Sequence, residues 1–203
     1  PDIKRLEEEN NIPELLKCLD HKKAYIRYRA FVALSHGRET GDDVTAKLKR
    51  MVHDPDPWVR SLAVLRFAEL GDQTVSESLL EIMDEGSVRD RIDLLKIITG
   101  RGATGDATVL QVIVIALGDK KEVVRIAAIK AAAAAANRHL MQYLAESLHE
   151  KHHKMRILAA DALYAIGREE SADYLIGLLA DSNPEVQAAA RSYLSSVNTE
   201  YVQ

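Results

Sequence analysis

An apolar residue followed by a polar one, nearly always Arg, recurs down this 203-residue chain. It appears as Ile26-Arg27, Val59-Arg60, Val88-Arg89, Val124-Arg125 and Met155-Arg156, then degenerates to Val186-Gln187. The successive intervals are 33, 29, 36, 31 and 31 residues. No other feature limits the fold so strongly, because a unit this short cannot bury an apolar face alone and must stack on its neighbours. Three residues after each polar position stand Ala30, Ala63, Ile92, Ala128, Ala159 and Ala190. Seven residues after it stand Leu34, Phe67, Lys96, Ala132, Leu163 and Leu194.

These spacings trace one face of an α-helix. Gly71, Gly100 and Gly167 fall eleven residues after the polar position, where a helix ends on a left-handed residue. Asn198 holds that place in the last copy, and Gly37 arrives one residue early in the first. Asp56-Pro57 and Asn183-Pro184 mark helix starts, an N-cap residue followed by the imino acid suited to the first helical position. An apolar-periodic segment precedes each start, so each copy is two antiparallel helices. They are joined at an acidic turn: Asp20, Asp54, Asp84, Asp119, Glu150 and Asp181. The charged segment 2–10 reads as an N-terminal capping helix.

The pattern resembles the HEAT-like repeat, in the short form named after the phycobilisome lyases. The run from Met155-Arg156 through Ala159, Ala162-Leu163 and Gly167 matches it almost throughout. The resemblance implies an all-α fold, an α-α superhelix (a right-handed solenoid) of about six hairpins. A single domain over 1–203 is expected, with a cap at 1–10 and repeats near 11–40, 41–72, 73–105, 106–137, 138–168 and 169–198. It also implies that each repeated Arg reaches the acidic turn of an adjacent repeat, a ladder that Gln187 interrupts at the end of the chain.

With 27 Lys+Arg against 31 Asp+Glu the chain carries a net charge of −4, which argues against general nucleic-acid binding. Hydrophobic residues make up 47%, yet no apolar run approaches the roughly 20 residues that span a bilayer, and no membrane partner is expected. One cysteine, Cys18, forms no internal disulfide, and a reducing, cytoplasmic setting is the natural expectation.

No catalytic constellation emerges, no cofactor is expected, and the chain reads as a non-enzyme. His149, His152 and His153 are a weak metal candidate, since two histidines four apart on one helix can chelate a divalent ion. Their register places them on a turn, where they equally suit a helix end. HEAT-repeat diiron hydroxylases need several His-Glu pairs; His149-Glu150 alone cannot hold two irons. Cys18 reads as a buried structural thiol, and the six alanines from Ala131 to Ala136 as a close-packed helix end.

In such stacks the second helix of each pair lines the inner wall. The residues facing away from the core stripe there are rich in Leu, Ile, Val and Tyr. Tyr28, Leu65, Leu94, Ile126, Ile157 and Tyr164 form the expected contact stripe, with Arg29, Arg91 and Lys130 at its rim. Burial of the same set between adjacent helices is the competing expectation. The expected function is a protein-binding scaffold or adaptor whose partner is another protein or peptide. A bilin lyase-like subunit is the alternative, and a HEAT-like nucleic-acid enzyme the third.

Overall fold

The computed structural model describes residues 1–35, 41–101 and 107–199. Every regular element among them is helical. The chain divides into two compact units, Pro1–Leu94 and Leu95–Gln203.

The first unit opens with α1 (Ile3–Glu8), capped by the Asp2 carboxylate, which accepts from the Arg5 N–H at 3.2 Å. It falls within the charged segment 2–10. The pairs that follow are α2 (Ile12–Cys18) with α3 (Ala24–Ser35), and α4 (Asp42–Arg50) with α5 (Pro57–Glu69). After them come α6 (Gln73–Asp84) and α7 (Val88–Arg101), within which the boundary between the units falls. The second unit continues with α8 (Ala107–Leu117) and α9 (Glu122–Ala135), then α10 (Met141–Glu146) and α11 (His153–Ile166), then α12 (Arg168–Leu175) and α13 (Pro184–Thr199). Three of the first helices tighten into 3-10 turns before the chain reverses, at Met51–His53, Ser147–His149 and Ile176–Ala180.

Helix starts follow the local chemistry. Asp56 accepts from the N–H groups of Trp58 and Val59, ahead of Pro57 at the first position of α5. Asn183 does the same for Glu185 and Val186 at the head of α13. The core follows the repeat. Ala30, Ala63, Ala128, Ala159 and Ala190 have no exposed surface, which lets helix backbones approach closely at one position per copy.

The first-turn hydrogen bonds give the register directly. The N–H groups of Arg27, Arg60, Arg91, Arg125, Arg156 and Gln187 donate to the carbonyls of Lys23, Asp56, Ser87, Lys121, His152 and Asn183. The third copy is therefore built on Arg91, not on Arg89. Intervals become 33, 31, 34, 31 and 31 residues, and the irregularity in the middle of the series shrinks.

The cause is a capping box. The Asp90 N–H donates to the Ser87 hydroxyl at 3.2 Å, and the Ser87 N–H donates to the Asp90 carboxylate at 2.9 Å. This fixes the start of α7 two residues later than Val88-Arg89 implies. Leu94 and Ile98, both fully buried, take the core positions that Ile92 and Lys96 were expected to fill. Arg89 lies on the surface and pairs along its own helix with Asp93 at 3.5 Å.

Helix ends differ from expectation in the same copy and in two others. Gly71 is left-handed (φ 81°), as its position demands, but Gly100 lies inside α7. Gly167 is extended at φ −157°, a conformation open to any residue, and Asn198 lies inside α13. The left-handed residue ending α9 is Ala136, at φ 49°. Gly37 lies outside the described residues.

Candidate partner-binding site

Three of the repeated Arg residues do two things at once. Arg27 forks onto the Asp54 carboxylate at 2.8 and 2.7 Å, Arg125 onto Glu150 at 2.5 and 2.9 Å, and Arg156 onto Asp181 at 2.7 Å twice. Their remaining nitrogens donate back to their own turns, at the carbonyls of His21, Asp119 and Glu150 respectively. A planar fork with a spare donor suits this double duty, which Lys could not perform. These bonds raise the affinity of the three guanidinium groups for their protons. Asp181 is held below the ordinary carboxylate range, mainly by the Arg156 hydrogen bonds, against the opposing effect of burial.

The ladder weakens at the third copy. Arg60 still holds the Asp54 carbonyl at 2.7 Å, but it meets Asp90 at 3.5 Å in place of Asp84 in the expected acidic turn. Gln187 keeps the inward half alone, donating to the Asp181 carbonyl at 2.7 Å.

Of the six residues expected to form a contact stripe, four retain exposed surface. Leu65 and Leu94 have none and belong to the core. Leu94 was misplaced by the register of the third copy. Leu65 lies on α5, where Ser61 and Ala68 on the same face are buried as well. Tyr28 is half-buried beside Trp58, with ring centroids 6.4 Å apart. Ile126, Ile157 and Tyr164 are half-buried on α9 and α11 of the second unit. Tyr164 stacks on Tyr193 of α13 at 4.9 Å, shares a 2.8 Å hydrogen bond with Ser196 and carries the Arg168 guanidinium 5.4 Å from its ring centre. Burial and a hydrogen bond to Asp161 push the Tyr193 phenol upward, so it stays protonated.

A groove of about 520 Å3 runs between α9 and α11. Glu122, Ile126 and Lys130 line it at intervals of one helical turn from α9. Lys154 and Leu158 face them from α11, with Met155 buried between. Sequence reasoning found Ile126 and Lys130 but passed over Lys154 and Leu158. Their spacing of four on the first turns of a second helix was the available signal.

The three histidines do not converge. His149 ends a 3-10 turn and faces a separate cleft beside Tyr174 and Gly177. His152 and His153 open α11 and lean in different directions, toward Glu122 and Glu185, each at 3.4 Å. Glu150 is occupied by Arg125. Among the described residues no three His, Cys, Asp or Glu side chains are grouped to hold a metal ion. Cys18 is buried, and burial raises its thiol pKa, the opposite of what an activated nucleophile needs. Among the described residues no helix is long and apolar enough to cross a membrane.

Among curated proteins none matches the sequence. Among solved structures, an engineered protein is similar at 15% identity over 93% of this chain and 97% of its own, with a TM-score of 0.54. An archaeal HEAT-like repeats protein from Thermococcus onnurineus NA1 is similar at 13% identity over 97% of this chain and 91% of its own, with a TM-score of 0.52. At such identities the likeness is one of fold, that of an all-α repeat solenoid. The model of the HEAT repeats family matches residues 12–96 and 110–195, most of the sequence, and the chain belongs to that family.

Proposed function

We propose that the chain is a non-enzymatic, protein-binding scaffold, and that the second helices of its repeats carry the contact surface. The supporting observation is the face of α9 and α11. Ile126, Ile157 and Tyr164 keep exposed apolar surface there although the helices pack closely at Ala128 and Ala159. Apolar surface left open beside a groove is what a peptide or helix partner covers. Tyr28 with Trp58 forms a separate aromatic patch in the first unit. Leu65 and Leu94 take no part in this reading.

Ile126→Glu and Ile157→Glu place charge in that surface without touching the Arg ladder. Affinity capture from the source cell, wild type beside the double variant, should lose specific partners while the melting temperature and helical circular dichroism stay close to wild type. An identical partner set for a folded double variant would refute the reading.

A further inference from the structure

We propose that the groove between α9 and α11 receives a short acidic peptide segment, with an apolar side chain seated on Ile126 and Leu158 and carboxylates paired to Lys130 and Lys154. The inference rests on the protein-binding reading of this face and names the chemistry of what binds.

Charge complementarity points to that occupant. Lys130 and Lys154 are exposed on opposite walls of the groove, and neither has an ion-pair partner among the described residues. Glu122, 3.4 Å from His152, is the one acid set against the two lysines among the described lining residues. Residues 120–154 contain seven Lys and Arg against three acids, in a chain whose net charge is −4. Arg125 pairs with Glu150 and Arg138 with Glu170, which leaves five Lys against Glu122 and Glu146 in that stretch.

The head of α11 adds to this field. His152 stands at the N-cap without capping through its side chain, and the first turn contains no acid. The positive end of the helix dipole therefore favours a carboxylate there. Ile126 and Leu158, half-buried between the two lysines, supply the apolar floor. A wholly polar ligand would leave that floor wet, and a basic one would meet like charge on both walls. A peptide that alternates carboxylates with Leu, Ile, Phe or Met satisfies both features.

A randomised peptide library displayed on phage and selected against the full chain tests this. Clones that bind equally to the Lys130→Glu/Lys154→Glu variant are removed. Both lysines are exposed, so the variant should fold, and circular dichroism checks that it does. The expected consensus has Asp or Glu flanking a large apolar residue. A labelled synthetic copy of it should bind about tenfold or more weakly to the double-lysine variant, and its affinity should fall as salt rises. Recovery of neutral or basic sequences, or of no clone sensitive to the lysines, would overturn the proposal. So would binding of a labelled oligothymidylate as tight as that of the peptide. Partners that depend on Ile126 and Ile157 but not on the lysines would refute the acidic-peptide assignment and leave the scaffold reading standing.

Discussion

At the scale of single residues, the Arg156–Asp181 contact shows how a repeat is tied to the next one. Side chains 12% and 8% exposed hold two 2.7 Å bonds, in an environment where a charge without its partner would be costly. Asp181 also accepts from the Asn183 N–H at 2.8 Å, so one carboxylate organises both the joint and the start of α13. Its pKa is lower in the folded chain than in the unfolded one. The stabilisation is therefore complete above the ordinary Asp pKa of about 3.9 and is lost as pH falls through the lower, folded value. Asp181→Asn should cost about 1–3 kcal/mol at neutral pH, since it removes charge-assisted bonds to a partly buried guanidinium. The same variant should show a shallower loss of stability in acid. Urea melts across the acid range check both effects, and a variant with wild-type stability at neutral pH would show that the fork is idle.

At the scale of the helix, ends decide more than interiors. α9 ends on Ala136 at φ 49°, in a region where a Cβ costs about 1–2 kcal/mol and glycine is free of the penalty. Ala136 stands eleven residues after Arg125, as Gly71 does after Arg60, so the backbone keeps the family turn where the side chain does not suit it. Ala136→Gly should raise stability by roughly 0.5–1 kcal/mol, the relief of strain exceeding the added freedom of the unfolded chain. A lower melting temperature for this exposed substitution would contradict the left-handed turn.

The same scale explains what the sequence revealed. Hairpins, the Asp56 and Asn183 caps and the alanine contact were legible because each depends on spacings within one copy. The third copy was not, because Val88-Arg89 imitates the repeated pair while Ser87 and Asp90 start the helix on another register. That shift placed Leu94 on the outside when it lies in the core. Leu65 escaped for a different reason. How completely a helix is enclosed depends on neighbours distant in sequence, and the α5 pattern is apolar nearly all round. The groove was half legible. Ile126 and Lys130 share a turn of α9, but that Lys154 and Leu158 face them follows from how α11 packs.

At the scale of the molecule, stability in a repeat array is a sum of local terms, each shared with the adjoining copy. Strain introduced at one joint should therefore fade with distance along the chain. Ala159 lies at such a joint, with no exposed surface, where α11 packs on α9 and α13. Ala159→Leu inserts volume with nowhere to go and should cost roughly 1–3 kcal/mol. Under nearest-neighbour coupling, native-state hydrogen exchange should accelerate most in α9, α11 and α13, and least in α2 and α3 of the first unit. Mass spectrometry of exchanged peptides resolves the gradient helix by helix. Equal acceleration from α2 to α13 would mean that the array opens in one step, and the additive picture of its repeats would have to be abandoned.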